Sequence, residues 1–136
     1  MPMVIDTSLT MAWCFEDEST AEADAILDRL MEDEALVPPL WPYEVSNVLM
    51  VAERDARITE AQAVRFLDLL TQLPIVVDPS PTDPTALLAA GRRHGLSAYD
   101  AAYLVLAERS GRPLATLDAK LAAAGREAGI GLLLSA

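Results

Sequence analysis

Basic residues, cysteine, histidine and aromatic rings are all scarce in this chain, and each scarcity excludes something. The 136 residues carry 10 Lys and Arg against 21 Asp and Glu, a net charge of −11. Phosphate backbones attract basic surfaces, so this balance argues against a protein that coats nucleic acid. Two readings remain: no contact with nucleic acid at all, or negative charge gathered at a metal site with a local basic strip elsewhere. Arg54 with Arg57, Arg92 with Arg93, and Arg109 with Arg112 are the candidates for such a strip. Each pair also falls near an expected helix end, where cations favour the dipole. Cys14 is the only cysteine, which rules out an intrachain disulfide and a multi-cysteine zinc site. A reducing cytoplasm fits best. With His94 as the only histidine, an HExxH metal helix is impossible, and neither a GxxxxGK phosphate loop nor a GxSxG elbow is present. His94 itself, followed by Gly95, reads as a surface position at a helix end closed by glycine. No apolar run is long enough to span a membrane, and no basic segment precedes an apolar one at the start, so neither a membrane anchor nor a secretory signal is expected.

What is there is aliphatic. Hydrophobic residues make up 52% of the chain and aromatics only 5%, so the core must be built from Leu, Val, Ile and Ala. A length of 136 residues implies one domain, 1–136. Short apolar runs at 3–6, 35–37, 73–77, 114–117 and 130–134 read as buried parallel strands. Helical stretches alternate with them at 20–32, 41–54, 59–71, 83–93, 98–109 and 119–128. Thr59 with Gln62 makes a capping box. Met11, Met31 and Met50 read as core or helix-face fillers. The alternation predicts an α/β fold with a parallel sheet.

Four acids stand out against this background. Asp6 closes the run Met3-Val4-Ile5, Glu44 lies within WPYEVSNVLM, Asp100 within LSAYDAAYLVLA, and Asp118 ends PLATLD. Asp6 and Asp118 sit at carboxyl ends of strands, where open parallel sheets bind ligands. Helix capping is the plain alternative for Asp6 and Asp118, and Ser97 to Asp100 reads as a capping box. Glu44 shares a helix face with Trp41, Val48 and Val51, where a lone ionised carboxylate costs several kcal/mol. An ion pair with an arginine is the plain alternative there. Asp100 faces inward with Tyr103, Leu104 and Ala107. One acidic pocket accounts for all four positions together. Clustered carboxylates repel, and Mg²⁺ or Mn²⁺, which prefer oxygen ligands, would remove that penalty and activate water for attack on a phosphoryl group. Ser8 and Thr116, each two residues from an acid, are auxiliary candidates for holding water near the ligands.

These segments carry a resemblance. MVIDTSLTMAWCFEDE, PPLWPYEVSNVLM, LSAYDAAYLVLAERSGRPLATLDAKLAAAG and the final IGLLL resemble the PIN-domain ribonucleases, and among them the VapC-type toxins of bacterial toxin–antitoxin pairs. The likeness spans nearly the full length. It implies a PIN-like three-layer α/β/α fold with a central five-stranded parallel sheet. It also implies Mg²⁺- or Mn²⁺-dependent endonucleolytic cleavage of RNA. Asp6, Glu44, Asp100 and Asp118 would be the catalytic and metal-binding acids, and Ser8 and Thr116 the auxiliary hydroxyls. A cognate antitoxin and a homodimer are the implied partners, with exposed apolar residues on helices 20–32 and 59–71 as candidate dimer surfaces. Leu121 stands where many relatives have an aromatic residue, and Ala119 and Lys120 where some have a further acid or amide, which bears on a fifth ligand and a second metal. Two other classes compete. A haloacid-dehalogenase-type phosphatase also opens on a strand ending in aspartate, but Ser8 occupies the place of its second aspartate. A non-catalytic PIN-like binding module would be expected to have lost one or more of the acids.

Overall fold

The computed structural model describes residues 2–134. Four parallel strands, β1 (Met3–Ile5), β2 (Ala35–Val37), β3 (Ile75–Val77) and β4 (Leu114–Ala115), form one sheet in the order β3-β2-β1-β4. Register pairs Met3 with Ala35, Leu36 with Val76, and Val4 with Leu114. The final apolar segment, expected as a fifth strand, contributes a single parallel bridge between Leu132 and Leu114.

Seven helices connect and cover the strands: α1 (Thr7–Ala12), α2 (Ala21–Arg29), α3 (Trp41–Arg54), α4 (Glu60–Thr71), α5 (Pro84–His94), α6 (Ala98–Ser110) and α7 (Ala119–Glu127). The α3 bounds match those expected from sequence, and α4 starts on the expected Thr59–Gln62 capping box. α5 and α6 stop at Gly95 and Gly111, whose φ of 65° and 68° suits glycine. α6 is the central helix. Ala101, Ala102, Tyr103, Leu104, Leu106 and Ala107 are all buried, so it is apolar almost all round, as a helix enclosed by its neighbours must be. It packs against β1, with α5 and α7 against it in turn.

The strands are not equally covered. β1, β2 and β4 are buried throughout, whereas Val76 and Val77 of β3 are each 41% exposed. β3 is an edge strand, so its apolar residues do not share the core position that their composition suggested. Two methionines depart in the same way. Met11 is in the core, but Met31 and Met50 are solvent-exposed.

Strand order also fixes where a crevice forms. The chain runs from β1 outward to β2 and β3, then returns to the other side of β1 as β4. The reversal point lies between β1 and β4, beyond their carboxyl ends. Asp6 follows β1 directly, and Thr116 follows β4 directly.

Candidate active site

Asp6 is buried and caps α1, accepting from the Leu9 amide at 3.1 Å. Its two oxygens are otherwise taken by hydroxyls. Ser8 Oγ lies 2.8 and 2.9 Å from them, and Thr116 Oγ1 donates to Oδ2 at 2.5 Å. The same two hydroxyls receive the chain beyond β4: the Leu117 amide donates to Ser8 Oγ at 3.1 Å and the Asp118 amide to Thr116 Oγ1 at 3.0 Å. Ser8 and Thr116 thus tie the ends of β1 and β4 together. Burial pushes the Asp6 carboxyl up to about 6, against the hydrogen bonds from Thr116, Leu9 and Ser8, and the charge of Asp118 adds to the rise.

Asp118 caps α7 through Oδ1, which accepts from the Lys120 and Leu121 amides at 2.9 and 3.1 Å. Capping and site membership therefore coexist: one oxygen serves the helix, and no hydrogen bond among the described residues engages the other. Asp100 lies in the first turn of α6, half-buried. The Ser97 hydroxyl accepts from its amide at 3.1 Å, so the cap is Ser97 alone rather than the reciprocal box expected from sequence. Burial raises the Asp100 carboxyl above its usual range and the nearby charge of Asp118 adds to this, while Ser97 and Lys120 oppose.

Glu44 is held by hydroxyls and not by the arginine that was the plain alternative for it. Tyr103 donates to its Oε1 at 2.5 Å and Thr7 Oγ1 to the same oxygen at 2.8 Å, with the two hydroxyls 2.9 Å apart. Burial, the hydrogen bond to Glu44 and the charge of that carboxylate drive the Tyr103 hydroxyl far above its usual range, so it stays protonated and donates. Among the described residues nothing hydrogen-bonds Oε2. The local fold sets this up. Trp41, one turn earlier on α3, donates from Nε1 to Thr10 Oγ1 at 3.0 Å, and Thr10 in turn donates to the Asp6 carbonyl at 2.9 Å. α3 is thereby pinned to α1, with Glu44 above Thr7. Thr7 and Tyr103 are the functional residues that sequence reasoning missed. The signal for Tyr103 was its place one turn beyond Asp100 on an inward face.

The acids are coupled electrostatically. Asp118 acts electrostatically on both Asp6 and Asp100, and Tyr103 feels both Glu44 and Asp6. Among the described residues no three of His, Cys, Asp and Glu stand as a ready-made metal cage. The donor set nonetheless fits a hard divalent cation: it is all oxygen, and among the described residues none of the four acids makes an ion pair. Three of the six arginines considered for a basic strip are engaged elsewhere. Arg57 binds Asp17 and Glu18, Arg109 binds Asp78, and Arg112 lies 3.3 Å from Glu34. Lys120, in the first turn of α7, acts on the Asp100 carboxyl through its charge. His94 also departs from expectation: its side chain is only 4% exposed, and it faces Glu127 at 3.5 Å.

Known proteins resemble this chain. Residues 3–127 match the family model for the PIN domain. The chain is 32% identical over 124 residues to Ribonuclease VapC3 of Pyrobaculum aerophilum, covering 90% of this chain and 93% of that one. It is also 32% identical to Ribonuclease VapC1 of Mycobacterium tuberculosis, over 79% of this chain and 91% of the relative. The crystal structure of PAE2754 from Pyrobaculum aerophilum superposes with a TM-score of 0.66 at 30% identity, covering 91% of this chain and 87% of that one.

Proposed function

Because the chain belongs to the PIN-domain family and is a nuclease of the VapC ribonuclease type, we propose that Asp6, Glu44, Asp100 and Asp118 are its catalytic acids and hold Mg²⁺ or Mn²⁺ for endonucleolytic cleavage of RNA. PIN-domain nucleases are generally dependent on divalent metal. The observation that carries the residue assignment is the convergence of Asp6, Asp118 and Asp100 beyond the β1 and β4 ends, with no basic side chain paired to any of them.

When bound, the cation supplies Lewis-acid charge that promotes deprotonation of water and neutralises a phosphoryl oxygen. The chain's residues do the rest. Ser8 and Thr116 fix both oxygens of Asp6. The α7 amides orient Asp118 through one oxygen. Tyr103 and Thr7 fix Glu44 through Oε1, leaving Oε2 to face water or a ligand. No histidine base is required, and His94 lies outside this network.

The same hydrogen bonds disfavour a phosphatase of the haloacid-dehalogenase type. Ser8 occupies the place of its second acid and donates to Asp6, which is buried rather than presented as a nucleophile. VapC toxins pair with VapB antitoxins, and a cognate antitoxin is the proposed partner here. A homodimer is also proposed. Val64 and Leu67 of α4, 59% and 40% exposed, supply the apolar surface for it, whereas α2 itself offers none of the large exposed hydrophobics. No helix among the described residues is long and apolar enough to cross a membrane, and the proposed location is the cytoplasm.

The test is cleavage of RNA by the purified, antitoxin-free protein. Cleavage internal to the strand with Mn²⁺ or Mg²⁺, abolished by a chelator and by Asp118→Asn, is the expected result. Cleavage that survives the chelator, or that Asp118→Asn retains, would overturn the assignment.

A further inference from the structure

The chain has seven aromatic side chains, 2 Trp, 3 Tyr and 2 Phe. Trp41, Phe15, Phe66 and Tyr103 are buried, and Trp13 is half-buried. The two that remain, Tyr43 and Tyr99, are 80% and 66% exposed. Each stands one residue before a site acid, in the first turn of its helix: Tyr43 before Glu44 on α3, Tyr99 before Asp100 on α6. The acid site joins the two. Tyr99 lies one turn from Tyr103 on the same side of α6, and the Tyr103 hydroxyl is bonded to Glu44 at 2.5 Å. Both residues therefore sit within about one helical turn of a single half-buried hydrogen bond. An isolated exposed tyrosine is unremarkable, but here the exposed rings occur only where the acids are.

The charge of the site makes such rings useful. With a net charge of −11 and with Arg57, Arg109 and Arg112 committed to acids, the site has little basic surface with which to hold a polyanion. Stacking of bases on aromatic faces does not depend on phosphate charge, and single-stranded RNA offers unstacked bases for it. Lys120, the single lysine of the chain, lies close enough to Asp100 to act on its carboxyl and is exposed to meet a phosphate.

We propose that Tyr43 and Tyr99 form a two-ring platform on which bases flanking the scissile phosphate of single-stranded RNA stack, with Lys120 as the one basic contact to the backbone. The platform rests on the nuclease reading of the acid site and names how that site grips its substrate.

The test compares two substrates with Mn²⁺: a mixed-sequence single-stranded RNA oligonucleotide, and bis(p-nitrophenyl) phosphate, a diester without bases. The readout is the ratio of kcat/KM on RNA to that on the small diester. Tyr43→Ala and Tyr99→Ala should each lower this ratio about tenfold, mainly through KM for RNA, and Tyr→Phe at either position should restore it, because the ring face is retained. A ratio unchanged in the alanine variants, including one in which both activities fall together, overturns the platform. So does failure of phenylalanine to rescue. A wild-type ratio in variants that no longer bind the cognate antitoxin assigns the rings to a protein interface and also overturns it. A wild-type protein that cleaves neither substrate fails at the nuclease reading itself, and the platform falls with it.

Discussion

Two charged regions of the molecule, the acidic mouth beyond β1 and β4 and the groove between α5, α6 and α7, are built on different plans. The groove, about 640 Å³, is lined by Asp83, Arg93, His94, Glu108, Arg109 and Glu127 among small apolar residues. Its lining carries side chains of both signs, with His94 facing Glu127 at 3.5 Å and Arg109 paired to Asp78. Among the described residues the carboxylates of the mouth are met by hydroxyls and backbone amides. Hydroxyls orient a carboxylate without cancelling its charge, so the mouth keeps a negative potential, whereas the groove mixes both signs.

Substitutions on the two sides should separate most widely in activity. Asp118→Asn should lower RNA cleavage about 10³-fold, equivalent to roughly 4 kcal/mol, whereas Glu127→Gln in the groove should stay within about twofold of wild type. A steady-state assay on one RNA substrate checks both, and comparable losses would erase the distinction.

The next effect is on stability and carries a pH sign. Burial raises Asp6 from 3.8 in its ordinary state to about 6 in the fold. Its contribution is fully present below about pH 4 and is lost as pH rises through about 6, a change of roughly 3 kcal/mol. Metal-free Asp6→Asn should therefore be more stable than wild type at pH 8, and the two should converge near pH 4. Denaturant unfolding measures this. Parallel profiles would mean that Asp6 carries no burial penalty.

Smaller again is Tyr103→Phe. It removes the donor to Glu44 from a nearly isosteric ring and should cost about 2 kcal/mol in urea unfolding. A loss near zero would show that Thr7 alone suffices to hold Glu44. Smallest is the stability effect of Glu127→Gln, whose partner His94 is buried but which is itself 61% exposed; a change within about 0.5 kcal/mol is expected.

The legible part of this protein was whatever a short window of residues controls. Asp6 and Asp118 stand directly after apolar strand segments and before helices, so strand end, cap and candidate ligand could be read at once. The capping box at Thr59 and the bounds of α3 followed from local chemistry in the same way. What stayed illegible depends on partners far along the chain. Glu44 was read as a pocket acid with an arginine pair as the plain alternative, and the hydroxyls that hold it, 37 and 59 residues away, were not legible. β3 has the composition of a buried strand but lies at the sheet edge, which only strand order decides. His94 has the local signs of a surface helix end, and the packing of α7 encloses it. The arginines look available in sequence because their acidic partners, such as Asp17 for Arg57 and Glu34 for Arg112, come from other elements.

The account stands on one claim, that Asp6, Glu44, Asp100 and Asp118 form a single divalent-cation site. Calorimetric titration of Mn²⁺ into the antitoxin-free protein, alongside Asp100→Asn, tests it without any knowledge of the RNA target. Saturable binding by wild type that the variant loses is the predicted result. Wild type and variant behaving alike, with no binding in either, would contradict it and leave the four acids as helix caps and hydrogen-bond acceptors.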